Sequence, residues 1–334
     1  MITFKSFVPV GKSLDHCFGC SYCRANTGEK IVEEELPGTI NPLFKSLPIF
    51  VNGFYGDPSL QPEYTLEMLR KLEEGGHKGP VVIITKGSPT FLKEWKGNLD
   101  LHLGFSYFKG EDLKEKMKEA KDMGLKYNIE FRPICCEVND DEENMRKVFE
   151  QAKEGECPIA WSGLQDPPQK GPWKAYPGHT LGKQKYVSNE VKERLRTLSK
   201  EYRVPIFEKT SCVISWMHGF ERDYNVHYLK PDVIGCKDCP MYEKCMKPVL
   251  DVNVELPFEY EIIHKENHKC SFVVAGLCKF PSPGCLKMNG EFIVPKVAQI
   301  TRGDYRIIKW LTGLMPQGVP MVEDDHPSEF WKRV

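Results

Sequence analysis

Pro80-Val81-Val82-Ile83-Ile84-Thr85 is the stretch on which the fold turns. Four consecutive apolar residues, all β-branched, leave the strand no polar face. Such a strand is covered on both sides, as in a parallel sheet flanked by helices. Upstream, Pro62 to Glu74 carries Leu66, Leu69 and Leu72 on one helical face and is stopped by Gly75-Gly76. Before that helix, Pro48-Ile49-Phe50-Val51-Asn52-Gly53 reads as a strand ending at the turn Gly56-Asp57-Pro58, and Ile2 to Val8 as a first short strand. Downstream the alternation continues. Strands are predicted at Leu99 to Tyr107, Tyr127 to Ile134, Pro158 to Trp161 and Val204 to Phe207. Helices are predicted at Glu111 to Met123, Glu142 to Lys153 and Ser188 to Tyr202, with Gly124 and Gly155 as stops. Strands alternating with helices imply repeated βα units around a parallel sheet. Without a GxGxxG turn, the expectation is an α/β fold, a partial (β/α)6 TIM-type barrel, whose chemistry sits at the C-terminal ends of the strands. After about residue 210 the helices thin out. The expected division is therefore a barrel over 1–210 and a smaller α+β domain over 211–334.

Composition narrows the function classes. The chain has 334 residues with 46 basic and 47 acidic side chains, so a chain-wide basic footprint for nucleic acid or acidic membranes is excluded. No apolar run is long enough for a membrane span. The opening Met1-Ile2-Thr3-Phe4-Lys5 lacks the basic and long apolar segments of a secretory signal, which points to the cytoplasm. Thirteen cysteines are an odd number in a large chain. Reduced thiols serving a metal or redox centre fit that count better than a disulfide framework.

Two cysteine groups are tight: Cys17-x2-Cys20-x2-Cys23 and Cys236-x2-Cys239-x5-Cys245. A CxxC step lets two thiolates of one turn reach the same ion, and a third cysteine nearby adds a ligand at little loop-closure cost. Thiolate sets of this kind suit zinc or an iron–sulfur cluster. Neither group has a fourth Cys or His at zinc-finger spacing. Three thiolates with an open position suggest a cluster with one iron left for a ligand. The first group falls in the loop after the first predicted strand, where a barrel places its active site. The same rim holds the Gly53 to Pro58 turn, Lys86, Ser106, Arg132, Cys135, Cys136 and Trp161 to Gln165.

Cys20-Ser21-Tyr22-Cys23 in that position resembles the cluster loop of the radical SAM superfamily. The usual spacing there is Cx3Cx2C; here Cys17 is one residue closer and His16 occupies the standard first position. Gly56-Asp57-Pro58, Gln61-Pro62-Glu63, Ile84-Thr85-Lys86, Phe105-Ser106 and Arg132-Pro133-Ile134 resemble the spore photoproduct lyase-like branch, over residues 1 to 160. The resemblance implies a [4Fe-4S] cluster held by Cys17, Cys20 and Cys23. Its open iron would bind S-adenosylmethionine, whose reductive cleavage yields a 5′-deoxyadenosyl radical that takes hydrogen from a substrate. It also implies an electron donor such as flavodoxin or ferredoxin. Lys86 and Ser106 would hold the methionine carboxylate, the Asn52, Gly53, Gly56, Asp57 turn its amino end, and Tyr22 and Arg132 would stand in the cofactor site, a structural ion pair being the equal alternative for Arg132.

The second group resembles auxiliary iron–sulfur motifs of C-terminal extensions in that superfamily. It implies a second iron–sulfur cluster, with structural zinc as the alternative. The fourth ligand is Cys212, Cys270, Cys278 or Cys285. Cys135 and Cys136 adjoin the rim, where an inward thiol would suit hydrogen-atom donation; inert buried thiols are the competing reading. From Pro168 to Tyr186, Lys170, Lys174, Lys183 and Lys185 interleave with Trp173, Tyr176, His179 and Tyr186. That pattern suits a single-stranded nucleic acid or a lid over the barrel. His218, His227, His264 and His268 show no ligand spacing and read as ordinary surface or core residues. The expected function is radical chemistry on a peptide or small metabolite. A nucleic-acid lyase or repair enzyme is the alternative within the class, and a zinc-stabilised non-catalytic binding protein the alternative outside it.

Overall fold

In the computed structural model the described residues are 7–9, 48–52, 57–164, 176, 186–220, 239–246, 256–268, 288–305, 308, 315–322, 324 and 328–329. The chain divides into two compact units. The larger comprises Lys5–Tyr224 with Lys230–Cys245; the smaller comprises Met1–Phe4, Asn225–Leu229 and Met246–Val334.

The larger unit is built on a seven-stranded sheet in strict sequence order. Its strands are β1 (Phe7–Pro9), β2 (Ile49–Asn52), β3 (Val81–Thr85), β4 (Leu101–Tyr107), β5 (Lys126–Ile134), β6 (Ile159–Gly163) and β7 (Ile206–Phe207). Every pairing is parallel, so all C-terminal ends lie on one rim. Among the described residues β1 and β7 pair only with their sequence neighbours, which leaves the sheet open as a partial barrel. The helices α1 (Pro62–Glu74), α2 (Lys114–Asp122), α3 (Glu142–Glu154) and α4 (Asn189–Tyr202) alternate with the strands as the apolar pattern predicts. Asp141 caps α3 and Ser188 caps α4, each accepting from a backbone N–H of the first turn.

Period-two alternation gives the sheet two different faces. One set of side chains, including Val51, Ile83, Leu103, Phe105, Ile129, Phe131, Ile159 and Trp161, joins Leu69 and Leu72 of α1, Phe149 of α3 and Leu195 of α4 in one apolar core. The alternate set faces the other way and is covered by a helix the sequence reading did not contain, α5 (Thr210–Met217). Ile214 of α5 packs on Phe50 and Val82, and Val213 on Ala160 and Phe207. Five of its eight residues are buried, Thr210, Ser211, Val213, Ile214 and Ser215, so it carries no apolar stripe by which to be recognised.

The smaller unit contains a three-stranded sheet with β8 (Tyr260–His268), β9 (Met288–Pro295) and β11 (Met315–Pro316) in the order β11-β9-β8. It also contains a two-stranded parallel pair, β10 (Ile300–Thr301) with β12 (Met321–Val322). No helix among the described residues is long and apolar enough to cross a membrane.

Candidate functional site

The rim at the C-terminal ends of the strands holds two polar constellations. The first lies at β2 and β3. Asp57 accepts from Ser59 N at 3.0 Å, Ser59 Oγ at 2.7 Å and Lys86 N at 2.6 Å, and also from the Thr85 hydroxyl. A carboxylate filled by four donors is a clamp: it fastens the short helical turn at Pro58–Leu60 to the end of β3. Lys86 Nζ donates to Glu111 Oε1 at 2.8 Å. The other Glu111 oxygen accepts from Phe108 N and Lys109 N just beyond β4. Lys86 is thus held over the β3–β4 junction by a carboxylate of the chain itself. Ser106 stands one residue before the end of β4, opposite Glu130 of β5.

The second constellation lies on the inner face at β5, β6 and α5. Along β5 the residues facing α5 are Asn128, Glu130 and Arg132, in place of apolar ones. Glu130 is buried; its Oε2 accepts from Thr210 Oγ1 at 2.8 Å and from Arg132 Nη1 at 3.2 Å, and its Oε1 from Asn128 Nδ2 at 2.9 Å. Arg132 Nε donates to Ser162 Oγ at 2.8 Å, and its Nη1 also reaches the Thr210 hydroxyl. Room for the Glu130 side chain comes from Gly104 on β4, where a Cβ would stand 3.0 Å from Glu130 Cγ.

At the opposite end of α5 the polar row continues. His102 Nε2 lies 2.8 Å from Asn128 Oδ1, and its Nδ1 lies 3.1 Å from His218 Nε2. His218 Nδ1 lies 2.7 Å from Asp100 Oδ2, beside Lys126. Complete burial pushes the His102 pKa down to about 3, so its imidazole is neutral. Burial also holds His218 below the ordinary value, against the opposing pull of Asp100. His218, read from sequence as an ordinary histidine, proves to be a core residue that joins α5 to β4.

Of the residues singled out in the sequence, Asp57 and Lys86 meet at one end of the rim, and Arg132 stands on β5. Cys212 and Cys239 pack against the same apolar cluster of Ala160, Phe207, Val213 and Met241. Cys135 and Cys136 lie apart from the Glu130–Arg132 group. Cys135 is buried, its Sγ 3.9 Å from Pro133 O and its N–H on Asn139 Oδ1, and burial pushes its thiol up to about 12. Cys136 packs on the core beneath the helices. Tyr176 is buried and meets Tyr186 edge-on at 6.3 Å, both at that same core, which takes these two aromatics out of the set offered for stacking on bases. Cys17, Cys20, Cys23, His16, Tyr22, Gly53, Gly56, Cys236, Cys270, Cys278, Cys285 and the lysines of the 168–185 stretch lie outside the described residues, as do the side chains of Asn52 and Cys245. Among the described residues no cluster of His, Cys, Asp and Glu forms a ready metal cage.

Sequence reading passed over Glu130, Asn128, Thr210 and His102, and held Ser162 only within the rim stretch Trp161 to Gln165. The signal was present in β5, where polar residues at every second position interrupt an otherwise apolar strand. No family model matches the chain, and no curated protein matches it. Among solved structures it is similar to a radical SAM methyltransferase from Sphaerobacter thermophilus, at 18% identity and a TM-score of 0.37, over 48% of this chain and 49% of that one. It is also similar to native anSMEcpe with bound AdoMet, at 16% identity and a TM-score of 0.35, over 54% and 55% of the two chains. The chain thus spans about half the length of each of these two structures.

Proposed function

We propose that the protein is a radical SAM enzyme, in which Cys17, Cys20 and Cys23 hold a [4Fe-4S] cluster and the rim of the larger unit binds S-adenosylmethionine. The observation that carries this reading is positional. The three-cysteine loop follows, in sequence, the first strand of a sheet whose seven strands are all parallel and in order, which supports assigning it to the rim that carries Asp57, Lys86 and Arg132. The donor set fits the group, since three thiolates with no fourth partner at finger spacing leave one coordination position open. When bound, the cluster supplies the electron that cleaves the sulfonium to a 5′-deoxyadenosyl radical.

The chain's own residues bind and orient. Lys86 and Ser106 serve the methionine carboxylate, and Glu111 fixes where the Lys86 ammonium stands. Asp57 is fastened to the end of β3, and Gly53 and Gly56 before it would let backbone approach the amino end. The apolar core beneath the sheet holds these groups on rigid strands. The spore photoproduct lyase-like branch is the assignment within the superfamily.

Cys236, Cys239 and Cys245 form the second thiolate set of this reading, with Cys212 as its fourth member. The shared packing of Cys212 and Cys239 favours Cys212 over the three other candidates. The substrate is a peptide or small metabolite, and a second cluster held by these cysteines would supply an electron acceptor where the reaction is an oxidation.

Anaerobic purification with iron, sulfide and zinc analysis tests the reading, together with an assay for 5′-deoxyadenosine from S-adenosylmethionine under reductant. The expected result is about eight irons per chain for two [4Fe-4S] clusters, with product formation that Cys20→Ala abolishes. Zinc without acid-labile sulfide, or full cleavage by Cys20→Ala, overturns it.

A further inference from the structure

The helix over the polar part of the inner face, α5, has little of its own to keep it helical. It is eight residues long, and its N-cap, Lys209, makes no side-chain capping bond. Isolated helices shorter than about 12–15 residues are marginal in water, so α5 is helical because it is docked. Three sets of contacts dock it. At its start the Thr210 hydroxyl donates to Glu130 Oε2 at 2.8 Å and accepts from Arg132 Nη1. In its middle Val213 packs on Ala160 and Phe207, and Ile214 on Phe50 and Val82. At its C-cap His218 Nε2 lies 3.1 Å from His102 Nδ1.

A fourth contact is of a different kind. Cys212 stands in the first turn of α5, its N–H on Lys209 O at 3.1 Å. Its side chain packs against the cluster of Ala160, Phe207, Val213 and Met241, and Cys239 reaches the same cluster from a later segment. Both cysteines belong to the larger unit. Both are half-buried. Cys135 and Cys157 differ: burial pushes each of those thiols up to about 12 and keeps it protonated. A metal ligand must give up its proton, so Cys212 and Cys239 suit that task where Cys135 and Cys157 do not. The helix contributes as well, because its positive end favours an anion in the first turn, where Cys212 stands.

We propose that Cys212 makes α5 the link between the second thiolate set and the rim: ligation of a metal by Cys212 and Cys239 holds the helix docked and, with it, Thr210 on Glu130. The inference rests on the reading of the second cysteine group as a metal site and extends it to a role. Thr210 and Cys212 share one helical turn, so fixing the thiolate fixes the hydroxyl. Metal affinity and helix docking then strengthen each other, since a coupling free energy acts equally on both equilibria.

Zinc is the probe, and hydrogen exchange read by mass spectrometry is the measurement. The full chain is compared after chelator treatment under reductant and after zinc loading. Loading should slow exchange over 210–218 at least tenfold, about 1.4 kcal/mol, and leave 101–107 of β4 unchanged. Cys212→Ser and Cys239→Ser should each remove the slowing, whereas Cys20→Ala should retain it. Cys239→Ser is the sharper variant, because it alters no residue of α5. In the reverse direction Ile214→Ala, which loosens the helix at Phe50 and Val82, should weaken zinc binding at the second set roughly fivefold or more. Near-ultraviolet circular dichroism identifies folded variants, and Cys239→Ser keeps the test valid if Ile214→Ala does not fold. Zinc bound through Cys239 with unchanged exchange over 210–218 overturns the coupling alone. Zinc stoichiometry unaltered in both Cys212→Ser and Cys239→Ser overturns the coupling and the second thiolate set together. Neither readout requires iron or 5′-deoxyadenosine formation, so failure here and failure of the radical reading are separable.

Discussion

The two faces of the seven-stranded sheet are made by the same strands and differ only in which alternate residues they present. The face under α1 to α4 is mainly apolar: Leu103 and Phe105 of β4 and Ile129 and Phe131 of β5 are fully buried in one core. The face under α5 carries His102 and Gly104 on β4, and Asn128, Glu130 and Arg132 on β5. On the first face interchangeable side chains fill volume. On the second each buried polar atom requires a particular partner, because an unpaired one costs far more than a pair gains. One face therefore carries stability and the other is specific enough to carry function.

The largest effect that separates the faces is expected at Phe131. Phe131→Ala should lower unfolding free energy by about 3–5 kcal/mol in urea titrations, through lost burial and the cavity left behind. A loss under about 1 kcal/mol would mean that the helical face is not the main core. The second test concerns acid. The folded-state pKa of His102 lies at about 3, below its unfolded value of about 6.5, so the unfolded chain binds more protons between those limits. Its stabilisation is complete above the unfolded value and is lost as pH falls toward the folded one. Between pH 7 and pH 5 the loss should be about 2 kcal/mol, and His102→Asn should flatten that part of the curve. An unchanged slope in the variant would remove His102 from the account. The smallest effect is at the periphery of the apolar face. Asp141 Oδ1 accepts from Asn144 N at 2.8 Å at the start of α3. Asp141→Ala should cost about 1 kcal/mol, the worth of an N-cap, with no change in ligand binding at the rim.

Legibility in the sequence follows the same division. The strands from β2 to β7 and helices α1 to α4 were readable because their apolar residues recur with the periods of strand and helix, and glycines mark the stops. Rim residues such as Lys86 and Arg132 were readable from the barrel rule alone. The helix α5 was not, since a short helix buried on most sides presents no stripe. Nor was the pairing of His102 with His218 or of Glu130 with Thr210, whose members are separated by 116 and 80 residues.

By itself, then, the sequence determined the alternation of strands and helices, the parallel sheet and the placing of the first cysteine loop after its first strand. These follow from local periodicity, which the chain carries wherever it goes. Only the tertiary structure decided that α5 lies along the inner face and that Glu130, Ser162 and Thr210 hold Arg132. It also decided that Cys212 comes to the same cluster as Cys239. Those outcomes depend on which distant polar groups satisfy one another once water is excluded, and that is a property of the folded chain as a whole.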